Sequence, residues 1–154
     1  MPVLNELCKQ LKEGGFPLVY TLWQSGSFEE KMLAAKLINK LAKKEPAEAL
    51  AAVKKFSNDI QDWAVCDTLG MQSLKPIAVS HIKEIFALAK KLNRSKNFWQ
   101  RRLSLVLVEV YAKDENMHNV INTLLKPLKT DKEYYVKKAV VWLKSSMSKK
   151  RGKK

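Results

Sequence analysis

Metal centres and disulfide frameworks are excluded first, because the residues that build them are nearly absent. The chain of 154 residues has two cysteines, Cys8 and Cys66, and two histidines, His81 and His118. Two thiols cannot form a disulfide framework or a cysteine-rich zinc site. No HExxH or CxxC pattern is present, nor a glycine-rich phosphate loop, so no metal and no small-molecule cofactor is expected. No apolar run approaches the ~18 residues of a membrane span. The opening MPVLNELCKQLKEGG lacks the basic start, apolar block and small-residue cleavage site of a signal peptide, and a cytoplasmic protein with reduced thiols is expected. Glycine and proline number five each, and neither interrupts an alternating apolar pattern, so a β-rich chain is not indicated.

Acidic residues are also few. Lys and Arg total 29 against 15 Asp and Glu, a formal charge of +14. Residues 1–80 carry 10 basic and 9 acidic residues, whereas 81–154 carry 19 and 6. A basic half of this kind recruits polyanions and is the electrostatic footprint of a nucleic-acid binder. The last seven residues, SKKRGKK, read as a basic disordered tail (148–154) behind a single domain (1–147).

The apolar spacing is helical throughout. Leu4, Leu7, Cys8 and Leu11 follow i, i+3, i+4, i+7. A short segment runs from Pro17 to about Gln24. Ser27 and Glu30 form a capping box before a helix with Met32, Ala35, Leu37, Ile38 and Leu41. Pro46 suits the first turn of a helix burying Leu50, Val53 and Phe56. Further segments surround Trp63, Cys66 and Leu69, then run over 76–92, 97–112, 114–128 and 132–147. LSLVLVEVY (103–111) mimics a strand, but its flanks extend it to helix length. Trp23, Trp63, Trp99 and Trp142 stand 40, 36 and 43 residues apart, near the repeat of HEAT-like or armadillo-like helix pairs. The expected fold is all-α: antiparallel helix pairs stacked as a solenoid with a concave basic face.

The segment DWAVCD (62–67) draws attention because Trp63 and Asp67, four residues apart, share one helical face. An aromatic plane beside a carboxylate suits a cationic sugar. Arg102 in FWQRR and Trp142 in YYVKKAVVW could face the same surface. Spacing alone favours the plainer reading: Trp63, Trp99 and Trp142 in the core, Asp67 as a cap or ion-pair partner and Arg102 as a solvated charge. His81 and His118 read as surface or structural residues, and Cys66 as a buried thiol.

Four blocks taken together, LWQSGSFEEKMLAAKLI (22–38), DWAVCD (62–67), FWQRR (98–102) and YYVKKAVVW (134–142), resemble the AlkD-like DNA alkylation repair family of HEAT-like-repeat alkylpurine DNA glycosylases. The order and the gaps agree, over roughly residues 20–145, and the chain resembles a shortened member. Ala64 stands where many members carry a second acidic residue.

The resemblance implies an enzyme that binds duplex DNA and hydrolyses the N-glycosidic bond of cationic N3- or N7-alkylated purines without base flipping. It implies Asp67 as the catalytic carboxylate, Trp63 and Trp142 against the lesion sugar, and Arg102 on the DNA backbone. Arg101, Lys137 and Lys138 are grouped with Arg102, and a monomer is expected. A non-catalytic HEAT-like protein for bent, branched or damaged DNA is the alternative.

Overall fold

The computed structural model describes residues 2–149. Nine α-helices make up most of the described residues: α1 (Pro2–Leu11), α2 (Gly15–Gln24), α3 (Phe28–Leu41), α4 (Pro46–Phe56), α5 (Trp63–Met71), α6 (Ile82–Asn93), α7 (Phe98–Val108), α8 (His118–Leu125) and α9 (Tyr134–Ser148). Single 3-10 turns join several of them, and no strand occurs among the described residues. None of these helices is long and apolar enough to cross a membrane. Helix α9 takes in Ser148, the first residue of the expected tail, and residues 150–154 lie outside the described residues.

The helix starts are written in local chemistry. Ser27 Oγ accepts the Glu30 N–H at 3.1 Å, and Glu30 in turn receives the Ser27 hydroxyl at 2.6 Å. The box therefore closes through side chains. Those hydroxyls, Ser25 first and Ser27 second, hold the Glu30 carboxyl below its ordinary value. Asp62 caps α5 by accepting the Val65 N–H at 2.9 Å, and Asn97 caps α7 through the Trp99 N–H at 2.9 Å. Pro46 opens α4 as expected.

Packing is layered. Odd-numbered helices follow one another, α1 on α3, α3 on α5, α5 on α7 and α7 on α9, and even-numbered helices do the same from α2 to α8. Cross-layer contacts such as α2 with α3 and α6 with α7 join the two rows. Helix α7 lies among α5, α6, α8 and α9, so Leu103–Val108 is buried without a break. That explains the strand-like look of 103–111: a helix covered on all sides has no polar stripe to display its period.

Two expectations change. The segment 76–92 is not continuous, since a 3-10 turn at Lys75–Ile77 precedes α6, and the Tyr111 hydroxyl donates to the Ala78 carbonyl at 2.6 Å. The tryptophan spacing also does not mark equivalent sites. Trp23 ends α2 in the even layer, Trp63 and Trp99 begin odd helices, and Trp142 sits deep in α9. The repeat that does recur is the start of the odd helices from α3 onward, at Phe28, Trp63, Phe98 and Tyr134, every 35 or 36 residues and each time on an aromatic.

Gly70 sets the closest approach between α5 and α7. A Cβ there would overlap Val106 Cγ1 and lie 2.8 Å from Val106 Cβ and 3.1 Å from Leu103 Cδ1. Gly70→Ala is therefore expected to destabilise by about 1–3 kcal/mol despite alanine's better helix propensity. Thermal melts check this: the midpoint should fall by roughly 2–4 °C per kcal/mol. Gly70→Ala combined with Val106→Ala should lose less than the sum of the singles. An unchanged midpoint for Gly70→Ala would show that α5 and α7 do not need the glycine.

Candidate functional site

Because side chains four apart stack on one helical face, position one, five and nine of α5 are Trp63, Asp67 and Met71, and those of α9 are Tyr134, Lys138 and Trp142. All six line one cleft of about 500 Å³, completed by Arg102, at position five of α7, and by Tyr135. The sequence-expected residues Trp63, Asp67, Arg102, Lys138 and Trp142 are thus brought together. Met71, Tyr134 and Tyr135 were not anticipated. The signal for them was present: the odd helices from α3 to α9 align from their first aromatic residue, and that register puts Tyr134 and Lys138 opposite Trp63 and Asp67.

Asp67 and Arg102 meet as a bidentate pair. Arg102 Nε donates to Asp67 Oδ1 at 3.0 Å and Nη2 to Oδ2 at 2.9 Å, while Nη1 donates to the Tyr135 carbonyl at 2.7 Å. One guanidinium therefore ties α5, α7 and α9 at the floor of the cleft. The two side chains are 25% and 11% exposed, so the pair is only partly withdrawn from water. Burial by itself lowers the Arg102 value, but the hydrogen bond and charge of Asp67 outweigh it and leave it raised. Next to it, burial first and the Asp67 charge second push the Cys66 thiol up, so it stays protonated and unreactive. Cys66 Sγ lies 3.7 Å from the Trp99 carbonyl.

The aromatic walls differ in attachment. Trp63 is 54% exposed and Tyr134 62% exposed, standing free of the core. Trp142 is half-buried and packs against the core. Lys138 Nζ sits 5.3 Å above the Tyr134 ring, and the Arg102 guanidinium 5.8 Å from Tyr135.

Arg101 and Lys137 are placed elsewhere, as neither lines the cleft. Arg101 binds Asp131 through Nε at 2.7 Å and Nη2 at 3.3 Å, and its Nη1 donates to the Ser95 and Lys96 carbonyls. Four of its five N–H groups are so occupied in fastening the loop before α7 to the loop before α9. Lys137 is exposed on α9. His118 makes a structural contact to the Ala112 carbonyl at 2.7 Å. Among the described residues no three His, Cys, Asp or Glu side chains gather where they could hold a metal ion.

A family model described as DNA alkylation repair enzyme matches residues 1–154. The chain belongs to this DNA alkylation repair family. No curated protein and no solved structure matches it. Membership in this family points to DNA alkylation repair in general, and the all-helical fold is the one the sequence implied.

The Asp131 contact has a pH signature. Burial would raise the Asp131 carboxyl, but Arg101 and the Glu133 N–H outweigh it and the net value is lowered. A depressed carboxyl contributes stability that is present above its unfolded value and is lost as pH falls through the folded one. Stability should therefore decline from about pH 4, the ordinary aspartate value, downward. Asp131→Asn should show a shallower acid decline in urea titrations at stepped pH. Identical acid limbs in both proteins would remove Asp131 from the account.

Proposed function

We propose that the chain binds duplex DNA and hydrolyses the N-glycosidic bond of cationic N3- or N7-alkylated purines. The observation that carries this reading is the Asp67 carboxylate held at the floor of a cleft whose walls are Trp63, Tyr134 and Trp142. The two helical layers, whose odd helices from α3 onward start every 35 or 36 residues, are read as a short HEAT-like (armadillo-like) solenoid whose cleft-bearing face is the basic, DNA-facing concave surface.

The chemistry asks little of the protein. An alkylated purine already carries positive charge, so the C1′–N bond breaks with the base leaving as a neutral purine, and no general acid is required. Positive charge passes to the sugar as an oxocarbenium-like transition state. Asp67 stabilises that charge and orients the water whose oxygen bonds to C1′, the surplus proton leaving to solvent. The faces of Trp63 and Trp142 add cation–π attraction. The cleft is open and shallow, which suits contact with sugar and backbone while the base stays stacked. Arg102 has five N–H groups, three of them engaged by Asp67 and Tyr135, so two remain for a phosphate oxygen. Lys138 and Lys137 extend the phosphate track along α9, and Arg101 keeps one N–H free of its bonds to Asp131, Ser95 and Lys96.

The same ion pair favours a second reading. A carboxylate neutralised by a bidentate arginine can be a structural tie in a non-catalytic protein for bent, branched or damaged DNA.

Base release from methylated duplex DNA in single turnover separates the two. Asp67→Asn keeps a hydrogen-bonding partner for Arg102 and should retain DNA affinity while slowing release by about 10²–10³-fold. Equal rates for variant and wild type, or no release by wild type, would leave the binding reading. Trp63→Ala should slow release, by a cation–π loss of about 0.5–2 kcal/mol, with a nearly unchanged melting midpoint, because Trp63 stands clear of the core. A large melting shift with normal release would make Trp63 structural instead.

A further inference from the structure

The even-numbered layer carries a groove that is separate from the Asp67 cleft. A groove of about 530 Å³ lies between α6 and α8, with Lys90, Lys91, Arg94, Thr123 and Pro127 among its lining residues. Three cations line it and no carboxylate does. The ion pairs found among the described residues join Asp131 to Arg101 and Asp67 to Arg102, so Lys90, Lys91 and Arg94 have no acidic partner there. A side-chain hydrogen bond with Lys54 of α4 first, and the repulsion between the two charges second, lower the Lys91 proton affinity.

The groove is also rigidly built. Asn93 is buried between α6 and its neighbours, and its amide donates at 3.0 Å to Ser104 Oγ of α7 and at 3.0 Å to the Leu124 carbonyl of α8. The buried amide fixes the spacing of the two helices whose surfaces form the groove. Cations near helix C-termini are ordinarily explained by the helix dipole. That accounts for cations at the end of α6, not for three of them lining one groove that has no carboxylate among its lining residues. Such a self-repelling cluster gains when an anion enters. A row drawn from α4 and α6, whose axes lie about 8–10 Å apart, matches an extended polyanion better than a compact one.

We propose that this groove is a second nucleic-acid phosphate site, on the opposite layer from the Asp67 cleft, so that one chain engages two duplex segments. The layers are separated by the packed pair α6–α7, so a straight duplex lying in the cleft does not reach the groove. The proposal stands apart from the glycosylase reading, since it needs no chemistry at Asp67.

The test uses lesion-free duplexes too short to span both faces. Their number per chain is measured by sedimentation, and their affinity against salt by fluorescence anisotropy. Wild type is expected to take two duplexes. The variant Lys90→Gln, Lys91→Gln, Arg94→Gln should take one, with a salt slope shallower by about 0.9 for each phosphate that is no longer neutralised. Lys91→Glu supplies the control against misfolding. It places a carboxylate beside Lys54, so its melting midpoint should hold or rise while the second duplex is lost. Base release from methylated DNA should be unaltered by either variant; absence of release by wild type would count against the Asp67 chemistry and leave the duplex count standing. One duplex per wild-type chain, or two per chain in both variants, would overturn the proposal. So would loss in the variants of binding to an acidic protein or anionic vesicles with duplex stoichiometry unchanged.

Discussion

The contact between Asp67 and Arg102 is the constraint on which the site depends. It joins two helices of the odd layer, and through the Tyr135 carbonyl it reaches a third. Its geometry requires α5 and α7 to lie close. Gly70, one turn beyond Asp67, permits that approach against Val106, one turn beyond Arg102. The glycine in the core and the ion pair at the surface are thus two levels of one helix–helix contact. Widening the contact at Gly70 would alter how the carboxylate is presented, without touching any group in the cleft.

That arrangement also bears on how a single acid can work among cations. Asp67 shares its cleft with Arg102 and Lys138, so the site is not electronegative overall. A fixed carboxylate with known partners nevertheless has its orientation set before any ligand arrives, and preorganised charge is what stabilises a transition state effectively. In the proposed reading the surrounding cations meet the phosphates on either side of a damaged nucleotide, while the aromatic faces and the carboxylate meet its sugar. That reading belongs to a chain of the DNA alkylation repair family.

Much of this was legible in the residues. The pairing of Trp63 with Asp67 followed from helical spacing, and the cap at Ser27 from its box with Glu30. The helix at 98–108 was recoverable only from its polar flanks, because burial on every side had erased its period. The tryptophan spacing misled, since Trp23 fills the core beneath Phe56, stacked at 4.3 Å, and has no equivalence to Trp63. What sequence could not resolve was tertiary. Arg101 and Arg102 are identical neighbours, yet the ~100° between successive helical positions sends one to Asp131 and the other to Asp67. The break before α6 likewise depends on Tyr111, more than thirty residues away, meeting the Ala78 carbonyl. Tyr134 could have been found by aligning the first aromatic of each odd helix, a register clearer in the folded chain than in the spacing of tryptophans.

In the proposed reading the cleft recognises positive charge rather than base shape. The most direct measurement is base release by the wild-type chain from two matched duplexes, one carrying a cationic N7-alkylpurine and the other an uncharged uracil, in single turnover. A site made of one carboxylate and aromatic faces should release the cationic base and leave the uracil in place. Comparable release of uracil would contradict the account, because recognition of positive charge gives no hold on an uncharged base with a strong glycosidic bond.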